Sequence, residues 1–353
     1  MPKQAREATI STGKAKPDTY ARERIALRHS TLRKKDARKE QYKRQPVGKK
    51  SPNAGNLAKA GTSTVRETPA LYSGRGKVHP RNPLNELTAV EWLPETVSVW
   101  MQRGLGANHP DAQIERQHPA PFSFTDVSRL IRFFTKRGGI VLDPFVGVGS
   151  TLKACALEGR KGIGFELNAR YAALARERLR KEVSNLLAAA EEQRVDVGDA
   201  RELCAALPPN SVDFVLSSPP YWNILHKEDH KAQQERKSHD LDTRYSDDTR
   251  DLGNIKVYED FLREVAGIFG GCARALKPGK YMALVVSDFR NKSRFVMFHS
   301  DLAEALEAYG LEMRGLIVLY QRHKRVFPYG YPFAFVPNIH HQFILILQNG
   351  KKS

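Results

Sequence analysis

Two short stretches have residue types that can do chemistry. Ser218-Pro219-Pro220-Tyr221 ends the apolar run Val212-Asp213-Phe214-Val215-Leu216, and Asp143-Pro144-Phe145-Val146-Gly147-Val148-Gly149-Ser150-Thr151 follows the strand-like Ile140-Val141-Leu142. In the first, the Ser218 hydroxyl and the Pro219 carbonyl are hydrogen-bond acceptors, and two prolines restrict the backbone that presents them. Such acceptors suit an amine whose lone pair must be turned toward an electrophile while its nitrogen gains positive charge. Tyr221 offers a face on which a base can stack, with Trp222 and Asn223 beside it as further substrate contacts. The second stretch has the composition of a turn from a strand end to a helix N-terminus, where backbone N–H groups are exposed. Gly147 and Gly149 would let a ligand come close, with Phe145, Ser150 and Thr151 around them.

Two carboxylates extend the second site. Glu166 ends the run Gly162–Phe165 and is followed by Leu167; an acid there can accept both hydroxyls of a ribose. Asp199, in Val197-Gly198-Asp199-Ala200, is placed to accept an adenine amino group, and Asp143 to accept from an ammonium group or from loop amides. An NAD-binding domain is the competing interpretation, but the third glycine of that fingerprint is missing, the loop running on to Leu152.

The elements that must hold these loops follow from periodicity. Thr125-Asp126 is expected to cap a helix with Val127, Leu130, Ile131 and Phe134 on one face. Strands are expected at 140–142, 162–165, 194–197, 212–216, 281–286, 316–319 and 343–347. Helices are expected at 150–157, from about Asn168, and at 200–207, 258–276 and 299–309. Strands alternating with helices imply an α/β fold with a mostly parallel sheet covered on both faces. The last two strands, joined without a helix, add an antiparallel hairpin.

Composition divides the chain. Residues 1–81 carry 21 Lys and Arg against 6 Asp and Glu, so they hold +15 of the total net charge of +18. Few large apolar residues cluster there, and residues 1–85 are expected to form a basic, disordered arm ahead of a globular domain over 86–353. Such an arm attracts polyanions, so nucleic acid is the first expected partner. No apolar run reaches membrane-spanning length and no secretory signal opens the chain, which predicts a soluble intracellular protein. The three cysteines, Cys155, Cys204 and Cys272, have no metal-type spacing and lie in apolar helical patterns, so buried packing is expected and no metal site is implied. The absence of a Pro-Cys pair argues against methylation of cytosine carbon 5, which proceeds through a cysteine nucleophile.

Taken together, Asp143–Thr151 followed by Ser218–Tyr221 resembles the DNA amino-methyltransferases, over about residues 86–349. The resemblance implies a Rossmann-like, S-adenosylmethionine-dependent methyltransferase fold with a seven-stranded sheet. It also implies S-adenosylmethionine as cofactor and double-stranded DNA as partner, with the target base flipped out of the helix. Within that family, Ser at the first position of the Pro-Pro-Tyr loop is more usual for cytosine N4 and Asp for adenine N6, so Ser218 favours cytosine. His118-Pro119-Ala120-Pro121-Phe122 is similar to a segment closing over the methionine end, which adds Phe122 to the cofactor contacts. Val336–Phe343 looks like the family's closing strand. Many relatives place an Asp-Pro-Phe loop after the Pro-Pro-Tyr loop; here it comes first. No sizeable recognition domain is inserted, leaving Asn223–Asn254, Gln321–Pro337 and the basic arm as candidates to contact DNA.

Overall fold

Strands buried on both faces read as unbroken apolar runs, and those runs form the centre of the sheet. The computed structural model describes residues 76–350, apart from 103–108, 110–111, 116, 119–122, 184–186, 223–247, 292–293 and 323. Its main strands are β1 (Val99–Met101), β2 (Ile140–Asp143), β3 (Lys161–Glu166), β4 (Arg194–Val197), β5 (Val212–Ser217) and β6 (Leu276–Val286). They are followed by β7 (Phe289–Asn291), β8 (Arg294–Val296), β9 (Leu311–Tyr320) and β10 (His341–Asn349). The principal helices are α1 (Phe124–Phe134), α2 (Ser150–Glu158), α3 (Ala169–Glu182), α4 (Ala200–Ala206), α5 (Tyr258–Ala275) and α6 (Phe298–Glu307).

The sheet has eight strands in the order β1-β9-β10-β6-β5-β2-β3-β4. Strand β10 runs antiparallel to both β6 and β9, and every other pairing is parallel. The chain winds outward from β2 to β3 and β4, then returns to build β5 and β6 on the other side. The strand order therefore reverses between β2 and β5, and in open α/β sheets ligands bind beyond the strand ends at such a point. The eighth strand, β1, was not expected; it adds to the edge through only three residues, too short for a periodic signal. The small hairpin β7–β8 was also unforeseen.

One core lies between the sheet and α4, α5 and α6, around Phe261, Val265, Phe269, Cys272, Leu302 and Leu306. The other face packs on α1 through Val127, Leu130, Ile131 and Phe134. All three cysteines are buried and free, as their apolar patterns predicted. The helix start expected at Thr125-Asp126 lies earlier, with Ser123 at the N-cap and Asp126 buried inside α1. Strand β6 begins at Leu276 and runs through Pro278-Gly279, residues that read as a break. Residues 336–340 precede β10 and are not part of it, so the closing strand starts later than the family pattern suggests.

The globular part also begins earlier than residue 86. Val78 bridges Thr88, and buried Asn85 donates to the Phe133 carbonyl at 2.6 Å, with Leu84 packed beneath α1. Residues 1–75 of the expected arm lie outside the described residues. No helix among the described residues is long and apolar enough to cross a membrane.

Candidate active site

The turn after β2 is fixed by Asp143. Its Oδ1 accepts from the Ser217 hydroxyl at 2.5 Å and from Phe145 N at 3.1 Å, and its Oδ2 accepts from the Thr151 hydroxyl at 2.5 Å. These bonds tie the ends of β2 and β5 to the first turn of α2. Burial pushes the Asp143 carboxyl up to about 6 against the pull of those three donors. Of the two roles foreseen for Asp143, the loop contact is the one seen. It stands behind the turn at 3% exposure and does not line the cleft.

The two glycines do different work. Gly147 adopts a left-handed conformation, φ +51°, and a Cβ there would meet the His118 ring at 3.3 Å. Gly149, φ +83°, caps α2 and would push a Cβ to 2.9 Å from the Ala175 Cβ. It is needed for the approach of α3, not of a ligand, which corrects the expectation for that residue. Ser150 and Thr151 likewise serve the scaffold. Ser150 Oγ accepts from the fully buried Arg178 at 2.9 Å, and Thr151 is held by Asp143.

Glu166 stands at the end of β3, one strand over. Gly147 N donates to its Oε2 and Asn168 N to its Oε1, both at 2.9 Å. A carboxylate has about four lone-pair directions, so each oxygen keeps one for a ligand. Loss of water raises the Glu166 carboxyl to about 7; the two amides oppose the rise, while Asp143 and Asp251 add to it. Asp199 caps α4 through Arg201 N and pairs with the Arg201 guanidinium at 2.7 Å.

Glu166 and Asp199 share one cleft with the Pro-Pro-Tyr loop. Phe145, Glu166, Leu167, Asp199 and Ala200 line it from one side, and Ser218, Pro219 and Pro220 from the other. Three carboxylates, Glu166, Asp199 and Asp251, face a space whose arginines are already engaged: Arg201 by Asp199 and Glu264, Arg250 by Asp248. The cleft is therefore rich in acceptors. It suits a ligand with hydroxyl, amino and cationic groups and disfavours the pyrophosphate of a dinucleotide. S-adenosylmethionine has the first chemistry, and the residues fit it: Glu166 for the ribose hydroxyls and Asp199 for the adenine amine.

On the reacting side, hydrogen bonds set the direction of each hydroxyl. Ser218 Oγ donates to Val285 O at 3.0 Å, and Gln342 Nε2 donates to the Tyr221 hydroxyl. Tyr221 in turn contacts the Ser218 side chain, and burial raises its hydroxyl pKa. With its proton committed to Val285 O, Ser218 Oγ faces any other partner as an acceptor.

Tyr221 stands beside the cleft but does not line it. Trp222 is only 4% exposed; its Nε1 donates to Ile255 O at 2.8 Å and its rings pack on Tyr258 and Phe289. It is a core residue and offers no stacking face, contrary to expectation. Asn223 and Phe122 lie outside the described residues, as do 119–121 of the segment that begins at His118. His118 itself lines the cleft, edge-on to Tyr171. Sequence reasoning missed Arg250, Asp251 and Leu252, which also line it. The available signal was Asp251-Leu252-Gly253-Asn254, an acid followed by a turn, in which Asp251 Oδ1 accepts from Gly253 N at 2.8 Å.

The strand order, the glycine turn after β2 and the acid ending β3 define the S-adenosylmethionine-dependent methyltransferase fold. Comparison with known proteins is narrower: the family profile described as DNA methylase, of the N6/N4 type, matches residues 4–177. The orphan methyltransferase M.BamHII of Bacillus amyloliquefaciens is 43% identical over 68 residues, 19% of this chain and 26% of that protein. The type II methyltransferase M.MjaI of Methanocaldococcus jannaschii is 36% identical over 98 residues, 26% of this chain and 30% of that protein. The matched segments thus span between a quarter and a third of those relatives. A solved S-adenosylmethionine-dependent O-methyltransferase from Thermotoga maritima is 14% identical, with 65% of each chain covered and a TM-score of 0.38. These matches support the DNA amino-methyltransferase family for this chain.

Proposed function

We propose that this protein methylates an exocyclic amine of a base in double-stranded DNA, the N4 amine of cytosine, with S-adenosylmethionine as donor. The observation that carries this is the single cleft with Glu166 and Asp199 on one wall and Ser218 and Pro219 on the other. The cofactor, when bound, supplies an electrophilic methyl group. Glu166 would hold its ribose and Asp199 its adenine, on the wall opposite Ser218 and Pro219. Ser218 Oγ and the Pro219 carbonyl accept the two hydrogens of the base amine. That pulls the nitrogen toward tetrahedral geometry and receives its growing positive charge. The target base must leave the stack to reach the cleft, and the basic segment 1–81 supplies attraction to the backbone.

The test is chemical. DNA treated with the protein and radiolabelled cofactor is digested to nucleosides, and the methylated one is identified by mass spectrometry. N4-methylcytosine is the expected product. N6-methyladenine would keep the site and change the base, and label entering only RNA would overturn the DNA reading.

Cofactor binding should depend on pH through Glu166. In the free protein its carboxyl titrates at about 7, so it is protonated below that pH. A ribose diol donates best to the ionised form. The affinity for S-adenosylmethionine should therefore rise as pH increases toward about 7 and level off above it, by at most about tenfold per pH unit. Calorimetry across that range reads the slope, and Glu166→Gln should remove it. A slope that persists in Glu166→Gln assigns the titration to another group.

A further inference from the structure

The β9–β10 loop, whose root is hydrogen-bonded to the catalytic loop, carries exposed aromatic rings. Phe333 is 94% exposed, Phe335 91% and Tyr331 81%. Isolated apolar residues on a surface are ordinary, but three large rings within five residues mark a contact surface.

The loop is built to hold them outward. At its base, Asn338 clamps Phe327 on both sides, accepting from Phe327 N at 2.9 Å and donating to Phe327 O at 2.8 Å. At its tip, Phe333 N and Ala334 N both donate to Gly330 O at 2.7 Å. Gly330 has φ +76°, and a Cβ there would collide with the Ala334 carbonyl. Rings presented from such a turn lose little further freedom on binding.

Two observations identify what they meet. The first is position. Gln321, where the loop leaves β9, donates to Gln342 at 3.1 Å, and Gln342 donates to the Tyr221 hydroxyl. The loop's root and the Pro-Pro-Tyr loop are thus joined by one hydrogen-bond chain. The second is charge: Arg322, Lys324 and Arg325 are exposed and precede the rings, and no acidic residue occurs between Gln321 and Gln342. Flat apolar rings next to cations match stacked bases flanked by phosphates.

We propose that Tyr331, Phe333 and Phe335 form a wedge that stacks against base steps of double-stranded DNA next to the target nucleotide. This rests on the DNA reading given above. The wedge occupies the space between bases that part when the target leaves the helix. It offsets part of the unstacking cost and leaves sequence readout to other groups.

The test uses the full chain and the variant Tyr331→Ser/Phe333→Ser/Phe335→Ser, whose changes lie on the surface. Because any base offers a face for stacking, a fluorescein-labelled duplex pool of random sequence serves as probe. Affinity is measured by anisotropy over a salt series. Stacking on one ring changes affinity about tenfold, so the expected loss is about 100-fold where two rings engage. No charge is removed, so the slope of log affinity against log salt should stay that of the wild type. Cofactor affinity should be unchanged.

Duplex affinity within about twofold of wild type overturns the wedge, and so does a loss that comes with a changed salt slope. A self-associated wild type made monomeric by the variant, seen by sedimentation velocity, overturns it as well, since the surface would then bind a second copy of the chain. Methyl transfer is scored separately. Wild-type binding with no transfer to DNA removes the enzymatic reading and leaves the wedge standing, whereas transfer with equal affinities does the reverse.

Discussion

Ser218→Ala should slow methyl transfer in a single turnover by about 100-fold while changing cofactor affinity by less than about twofold. The Ser218 proton is committed to Val285 O at 3.0 Å, so toward the cleft the side chain acts as an acceptor. Alanine deletes one of the two groups proposed to receive the amine hydrogens and leaves the Pro219 carbonyl alone. Removing one preorganised hydrogen-bonding group aimed at developing charge costs about 100- to 1000-fold. The lower figure is expected here because the base amine is only partly charged at the transition state. The structural side effect is small. Val285 O loses one hydrogen bond, which costs about 1 kcal/mol, and Tyr221 keeps Gln342. Rapid-quench transfer from radiolabelled cofactor at saturating DNA measures the step directly. A variant rate within about twofold of wild type removes Ser218 from the chemistry, and an equal loss in cofactor affinity would assign it to the scaffold.

The parts of this protein that sequence reading foresaw are those with a local signature. Strands β2, β3 and β5 are short apolar runs bounded by turn residues, and the residues at or just past their ends, Asp143, Glu166 and Ser218, surround the strand-order reversal. The parts it missed depend on partners distant in the chain. Nothing near Asp143 says that Ser217, 74 residues on, will take one of its oxygens and turn the carboxylate away from the cleft. Trp222 follows a catalytic-looking loop, yet its place is decided by Tyr258 and Phe289. Asp251 read as part of one long charged loop because the turn that brings it to the cleft follows a long stretch rich in Lys, Arg, Asp and His. Strand β1 is too short to show a period and exists because the edge of β9 is open to it.

Arg178 shows the same limit, and its replacement by methionine is expected to destabilise the protein by about 3–5 kcal/mol, the usual cost of removing one member of a buried ion pair. It lies seven residues after Tyr171, on the buried stripe of α3, where an apolar residue would be expected. The side chain is fully buried, and every arm is used: Nη2 to Glu115 at 2.8 Å, Nε to Glu182 at 2.9 Å and Nη1 to Ser150 at 2.9 Å. Lys153 Nζ reaches Glu182 at 2.7 Å, so that carboxylate keeps one cation in the variant. Among the described residues Glu115 has no second ion pair this close; burial already raises its carboxyl pKa despite Arg178, and losing the guanidinium must raise it further. The sign follows. An acid whose folded pKa lies above its unfolded value favours the fold at low pH, and that advantage is lost as pH rises through the folded value. The deficit of Arg178→Met, read from urea denaturation midpoints, should therefore be larger at about pH 8 than at about pH 5. Adding Glu115→Gln should recover part of it at the higher pH, as coupled neighbours do. Because Ser150 opens α2, the helix behind the Gly147 turn, cofactor affinity should fall in the single variant well below its melting temperature. A single variant within about 1 kcal/mol of wild type at pH 8 would mean that water or Lys153 takes over the Arg178 role, and the cluster would then not be what holds α2 and α3 together.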